Sequence, residues 1–181
     1  SIGAVIVSAV APAVFTFVTE DNPDSRKPAA YLVRVKNGQA RDEPLIARDA
    51  EGRLIFKPVD LGAPGQADGE HVFLVLFLSG IRKAPDPNHD GNLNESVHVR
   101  LNGFELTPSY AGPQPDFKGL EQMNVEIPRN FIGHPQLRIE ITGGVPSNQA
   151  FVPLVVPPLT EAHWRASGLE GQDVHAFAIL E

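Results

Sequence analysis

Short runs of apolar residues, broken by glycine and proline, recur along the chain. The runs are rich in β-branched and aromatic residues, and the chain has 17 prolines and 16 glycines to separate them. This rhythm is typical of an all-β sandwich or barrel. The runs are Ala4–Val10, Tyr31–Lys36, Leu54–Val59, Val72–Leu78, Ser96–Leu101, Met123–Ile127, Leu137–Ile141, Ala150–Val156 and Val174–Leu180.

Several of these runs alternate between apolar and polar residues. In Leu137–Ile141 the apolar residues take every second position, and in Tyr31–Lys36 Leu32 shares a face with Arg34. Alternation of period two indicates a strand with one buried and one solvated face. Val72–Leu78 is apolar throughout, so we expect a central strand that is covered on both faces.

Helical patterns are rare in this sequence. One two-turn helix is predicted at Thr160–Ser167, with Thr160 capping its start and Gly168 ending it. It carries the only tryptophan, Trp164, which we expect to anchor the C-terminal extension, residues 157–181, to the sandwich.

The pattern as a whole predicts an all-β fold. We expect an antiparallel β-sandwich with a short helical insert near the C-terminus, built as a single domain over residues 1–181. Two long polar stretches, Thr19–Pro28 and Ala63–His71, are predicted to be solvated connections.

Composition narrows the classes of partner and chemistry. The net charge of −7 disfavours nucleic acid, which binds a basic surface. The absence of cysteine excludes disulfides, thiolate metal sites and cysteine nucleophiles. The apolar run Ile2–Phe17 is too short to span a bilayer and has no basic leader, so we expect it to belong to the mature protein, with no membrane span.

One loop, Asp86–Glu95, carries oxygen-bearing side chains at alternate positions. They are Asp86, Asn88, Asp90 and Asn92. Gly91 falls at the sixth position, where the twelve-residue calcium loop needs a glycine for its sharp turn. The spacing therefore resembles a loop that wraps a hard cation.

The loop departs from the calcium pattern at its twelfth position. That position should supply a bidentate acid, but here it is Val97, and Glu95 is the nearest substitute. Strand-like runs flank the loop in place of helices. We predict a weakly bound structural Ca²⁺, with its ligands among Asp86, Asn88, Asp90, Asn92 and Glu95. The alternative is that Asp, Asn, Pro and Gly form turns here without an ion.

No motif for catalysis stands out. The six histidines show no helical spacing of the kind that builds a zinc site, and no Gly-x-Ser-x-Gly elbow is present. A glycan hydrolase would use two of the 22 carboxylates, but spacing along the chain does not indicate which two. We therefore expect a protein that is not an enzyme.

Part of the sequence resembles a known family. The most specific pieces are Tyr110-Ala-Gly-Pro and Gly119-Leu-Glu-Gln-Met-Asn-Val-Glu-Ile-Pro128, after Val72–Arg82 and Val97–Gly103. Together they resemble the uncharacterised Solibacter-type C-terminal domain of large exported bacterial proteins, over roughly residues 7–155. The resemblance implies an immunoglobulin-like β-sandwich outside the cell and no catalytic residues. The loop 83–96 is longer than the short turn that the family pattern has there.

These observations favour a non-catalytic structural or adhesive module, extracellular or on the bacterial cell surface. The apolar N-terminal strand, residues 1–10, either completes its own sandwich or enters a neighbouring subunit by strand addition, which would build a filament. Partners are then other copies or neighbouring modules of an exported protein. The alternative is a calcium-assisted carbohydrate-binding module, for which Trp164, Tyr31 and Tyr110 are the candidate stacking platforms.

Overall fold

The computed structural model describes residues 8–19, 22–63 and 69–157, without the side chains of residues 22–25. The predicted helix Thr160–Ser167, Trp164, the strand Val174–Leu180 and most of the N-terminal strand lie outside the described residues. The strands are β1 (Ala13–Val14), β2 (Thr16–Thr19), β3 (Asn22–Pro28), β4 (Ala30–Lys36), β5 (Gln39–Pro44), β6 (Ile46–Arg48), β7 (Leu54–Phe56), β8 (Glu70–Ser79), β9 (His98–Leu101), β10 (Phe104–Leu106), β11 (Tyr110–Pro113), β12 (Glu121–Glu126), β13 (Gln136–Thr142) and β14 (Ala150–Pro153).

The strands form two main antiparallel sheets. The first sheet has the order β11-β12-β8-β4-β5, with β1 beside the end of β8, and the second has the order β10-β9-β13-β14. Two ribbons, β2–β3 and β6–β7, flank them. The only helical turn in the described part is a 3₁₀ turn at Arg129–Phe131. The all-β, sandwich-like fold predicted from the pattern is confirmed.

One hydrophobic core lies between the two sheets. Leu32, Leu74 and Met123 point into it from the first sheet and are fully buried. Val99 and Ile139 enter it from the second sheet and are equally buried. Each such side chain contributes roughly 1.5–3 kcal/mol by leaving water, so the two sheets hold each other in place.

The apolar strand β8 is central, as its sequence predicts. It pairs with β4 on one side and with β12 on the other. Its even-numbered residues from Val72 to Leu78 are buried in the core. On its outer face Val75 is buried, but Phe73 and Phe77 are half-exposed. The outer face is therefore covered only in part.

The start of the described chain packs into the chain's own sandwich. Val10 and Val14 are buried in the core. The backbone N–H of Val14 donates to Oδ1 of Asn148 at 2.9 Å, and Nδ2 of Asn148 donates to the carbonyl of Val14 at 3.0 Å. Residues 10–14 therefore belong to this domain, and the predicted donation concerns the residues before them.

The prediction of a solvated connection at Thr19–Pro28 is wrong. Asn22–Pro28 forms β3, antiparallel to β2, and Lys27 and Pro28 are buried. Lys27 places its ammonium 6.0 Å from the ring centre of Phe56, so its aliphatic stem and its charge both find a partner. In the other predicted connection, Glu70 and His71 already belong to β8.

Candidate functional site

The acidic loop closes through its own hydrogen bonds. One carboxylate oxygen of Asp86 accepts a hydrogen bond from the backbone N–H of Asp90 at 3.3 Å, and the other accepts from that of Gly91 at 3.0 Å. Oδ1 of Asp90 accepts from the N–H of Asn92 at 2.8 Å. Gly91 has a φ of 80°, the left-handed region that its position requires. These bonds form a compact turn.

Two other predicted ligands bind each other. The side-chain amide of Asn88 donates to Oε1 of Glu95 across the loop. Both residues are exposed at the surface. This contact ties the two ends of the loop together.

Asn92 attaches the loop to the first sheet. Its Oδ1 accepts from the N–H of Ala111 in β11 at 2.9 Å, while the N–H of Leu93 donates to the carbonyl of Ala111 at 2.6 Å. The Asn92 amide also donates to the carbonyl of Ser109 at 3.3 Å. The loop therefore lies along the outer edge of β11 and occupies its backbone groups, as a further strand would.

This arrangement bears on the fit of a cation. Oδ1 of Asn92 accepts from the N–H of Ala111 in β11, and the Asp86 carboxylate accepts from two N–H groups of its own turn. Val97 at position twelve is a fully buried core residue. In the described ranges no three His, Asp or Glu side chains gather as a metal site requires. Asp86, Asp90 and Glu95 retain free lone pairs, and calcium binding stays a prediction.

A second polar cluster, absent from the sequence-based expectations, surrounds Arg34. Its Nε donates to Glu43 at 2.6 Å, its Nη1 to Glu70 at 3.0 Å, and its Nη2 to the carbonyl of Asp60 at 2.8 Å. The Arg34 side chain is only 9% exposed and lies on the core-facing side of β4, in line with Leu32. A buried guanidinium needs such partners, because desolvation of an unpaired charge is costly.

Two opposing effects act on the pKa of Arg34. Burial lowers it, but the hydrogen bonds and negative charge of Glu43, followed by those of Glu70, outweigh burial and raise the pKa above its usual value. The guanidinium is therefore charged at all physiological pH values and holds β4, β5 and β8 together at one end of the sandwich.

An open cleft lies beside this cluster. It has a volume of about 350 Å³ and is lined by Arg34, Arg41, Glu43, Asp60, Gly62 and Glu70. A second hollow of about 300 Å³ adjoins it along β5 and shares Arg34, Arg41 and Glu70. Arg41 is 73% exposed, and its Nη2 lies 3.8 Å from Oε2 of Glu43. Arg41 is thus the exposed cation of a cleft that also contains the partly exposed carboxylates of Glu43 and Glu70.

The candidate stacking aromatics are held in different ways. The Tyr110 hydroxyl donates to the carbonyl of Pro113 at 2.6 Å, and burial raises the pKa of Tyr110. A Cβ on Gly112 would meet both the Tyr110 hydroxyl and the carbonyl of Gly91, so Tyr110 stands beside the acidic loop. Tyr31 packs against Phe77 with ring centres 6.0 Å apart.

Among residues 8–19, 22–63 and 69–157, no helix has the length and apolar character needed to cross a membrane. Comparison of the whole chain with protein-family models, with curated proteins and with solved structures gave no match. The resemblance to the Solibacter-type domain therefore stays a prediction.

Proposed function

We propose that this chain is a non-catalytic structural or adhesive β-sandwich module that contacts other proteins outside the cell. The observation that supports this is the outer face of the first sheet. Phe15 is 44% exposed there, and Tyr31, Val33, Phe73 and Phe77 are half-exposed. Contiguous apolar surface of this kind on a folded domain marks a protein contact site.

The register supports one continuous surface. Tyr31 pairs with Val75, and Val33 with Phe73, so these side chains stand on the same face of neighbouring strands. The N–H of Phe15 donates to the carbonyl of Phe77 at 3.1 Å, which brings Phe15 to the same face. Polar residues lie at its rim, where Nδ1 of His71 is 2.6 Å from Oε1 of Glu126. An apolar centre with a polar rim is the anatomy of a protein interface.

Sedimentation velocity tests this face directly. We expect the parent to self-associate as its concentration rises, and Phe15→Ser to weaken that association at least tenfold. Val18→Ser, at an apolar and still more exposed position in β2, is the control. Equal association of the parent and Phe15→Ser, or a strictly monomeric parent that also fails to bind neighbouring modules of its own protein, would refute the proposal.

The filament version concerns the apolar N-terminal run. We propose that it adds to a second copy, and truncation before Ser8 tests this, because Val10 and Val14 then remain to complete the core. We expect a folded product that no longer polymerises. A truncated protein that polymerises as the parent does would exclude donation and leave the adhesive proposal in place.

A calcium-assisted carbohydrate-binding module is the second candidate. The position of Tyr110 beside the acidic loop favours it, because a half-exposed ring next to a bound cation suits a sugar. Binding on a glycan array that requires calcium and is lost in Tyr110→Ala, but not in Tyr31→Ala, would support this candidate. Binding unaffected by a chelator would count against it.

A further inference from the structure

Three of the four edges of the two main sheets are occupied or short. The outer edge of β11 is bonded to Asn92 and Leu93. Beside β14, the N–H of Val59 donates to the carbonyl of Pro153 at 2.8 Å. The edge strand β10 has only three residues. Short and covered edges are the usual defence against unwanted strand pairing.

The fourth edge, β5, is six residues long and has no neighbour on its outer side among the described strands. Asn37 and Gly38 form the turn from β4, with φ values of 51° and 75°, as a two-residue hairpin requires. The closing pair Lys36–Gln39 then bonds within the hairpin, and so does Arg34–Arg41. The backbone groups of Ala40 and Asp42 therefore point outward, away from β4.

The hydrogen bonds of β4 on its other side agree with this alternation. The N–H of Phe77 in β8 donates to the carbonyl of Ala29 at 3.0 Å. The backbone N–H and C=O groups of odd-numbered residues in β4 therefore point to β8, and those of even-numbered residues point to β5. Ala40 and Asp42 are both exposed. In the part of the chain that the structure describes, this edge therefore offers two sets of outward backbone donors and acceptors, at Ala40 and Asp42.

The side chains along this edge determine what can pair with it. Arg41 and Glu43 face the cleft beside Arg34. Glu43 is engaged by Arg34 at 2.6 Å, whereas Arg41 is 73% exposed and only 3.8 Å from its nearest carboxylate. An added strand would place alternate side chains against Arg41. An acid there gains a charge-assisted contact, whereas an apolar residue would desolvate the guanidinium.

We propose that β5 accepts an extended segment of a partner protein that carries an acidic side chain opposite Arg41. This inference rests on the proposed function as a protein-contact module. The chain's own N-terminal run does not supply this acid, since residues 1–19 contain no charged residue. Backbone bonds to Ala40 and Asp42 supply affinity, and the cleft at Arg41 selects the partner.

Fluorescence anisotropy with two synthetic peptides tests the proposal. The probe is a labelled eight-residue peptide of alternating valine and glutamate, and its control has lysine in place of glutamate. We expect the parent to bind the glutamate peptide at least tenfold more tightly than the lysine peptide. A parent that binds neither peptide, or both equally, would refute the inference.

Two variants separate the backbone from the side-chain contribution. Asp42→Pro removes an outward N–H without touching a bond to β4, so it should weaken peptide binding at least tenfold. Arg41→Glu should reverse the preference toward the lysine peptide, whereas Lys83→Glu, an exposed loop residue with the same charge change, should not. If neither variant alters binding, the peptide does not pair with β5 and the inference is refuted. The charges on β5 then serve only to prevent unwanted strand pairing. The Phe15→Ser experiment is independent, so the proposed function can survive that outcome.

Discussion

At the scale of single residues, the sequence did not reveal the buried ion-pair cluster of Arg34. Its folded-state pKa is raised, so its contribution to stability is complete below the unfolded pKa and is lost only as the pH rises through the folded value. The pH range over which this stability is lost lies above the physiological range. Between mildly acidic and mildly basic pH, Arg34 therefore stabilises the sandwich to a constant degree.

Arg34→Met should destabilise the protein by roughly 2–4 kcal/mol, because Glu43 and Glu70 would keep their charge and lose their shared partner. Urea denaturation measures the change. Arg41→Met is the matched control and should stay within about 0.5 kcal/mol of the parent, since Arg41 is exposed. Equal stability of both variants would show that the cluster does not stabilise the fold.

A second residue-scale prediction concerns Gly80, which has a φ of 88° after β8. A Cβ at this position would lie 2.0 Å from the carbonyl oxygen of Ala11. Gly119 has nearly the same φ, 92°, with nothing within 4 Å of the added atom. Both alanine variants incur left-handed strain of roughly 1–2 kcal/mol, and only Gly80→Ala adds a clash with backbone.

Gly80→Ala should therefore lower the free energy of unfolding by at least about 2 kcal/mol more than Gly119→Ala does. Thermal and urea melts of the two proteins measure the difference. Similar losses in both variants would mean that the N-terminal segment does not hold its place against β8.

At the scale of elements, the acidic loop works as a cover for β11. Asn92→Ala removes the bonds to Ala111 and Ser109, and we expect a loss of about 1–2 kcal/mol in the free energy of unfolding. Asn88→Ala, in the exposed part of the same loop, should cost less than about 0.5 kcal/mol. Urea denaturation compares them, and equal losses would argue that the loop stabilises the sheet by other contacts.

Calcium is a separate prediction for the same element. With a dissociation constant on the order of 10⁻⁴ to 10⁻³ M, about 10 mM calcium would stabilise the fold by roughly 1.4–2.7 kcal/mol. The melting temperature should then rise by several degrees with calcium and not with magnesium. An Asp86→Ala, Asp90→Ala double variant should lose the rise. A parent with the same melting temperature in both ions would refute the prediction that this loop binds calcium.

At the scale of the whole molecule, the two sheets should unfold together. β8, β4 and β12 share the core, whereas the β6–β7 ribbon exposes Ile46 and Leu54. In native-state hydrogen exchange, the amides of the central strands should exchange only through global unfolding, and those of β6 and β7 through local opening. Equal protection of the ribbon and the central strands would contradict this.

The apolar strands of this protein were determined locally, by the sequence itself. Alternation and apolar runs predicted β4, β8, β12 and β13, because a period of two and β-branched side chains suit a sheet wherever it lies. The alternation and the apolar runs did not predict the polar strands. Asn22–Pro28 and Gln39–Pro44 form β3 and β5 although neither has an apolar face, since backbone pairing with a neighbour holds them.

Only the tertiary structure decided what the polar residues do. The sequence placed Arg34 on one face of a strand without showing that this face is the buried one, because Glu43 and Glu70 reach it from other strands. It likewise grouped Asn92 with possible ion ligands, whereas a contact to Ala111 across 19 residues gave it a structural task. Which sheet edge stays open depends in the same way on contacts between distant segments. Spacing along the chain sets local geometry, but the partners of a polar group are chosen only when the sheets pack.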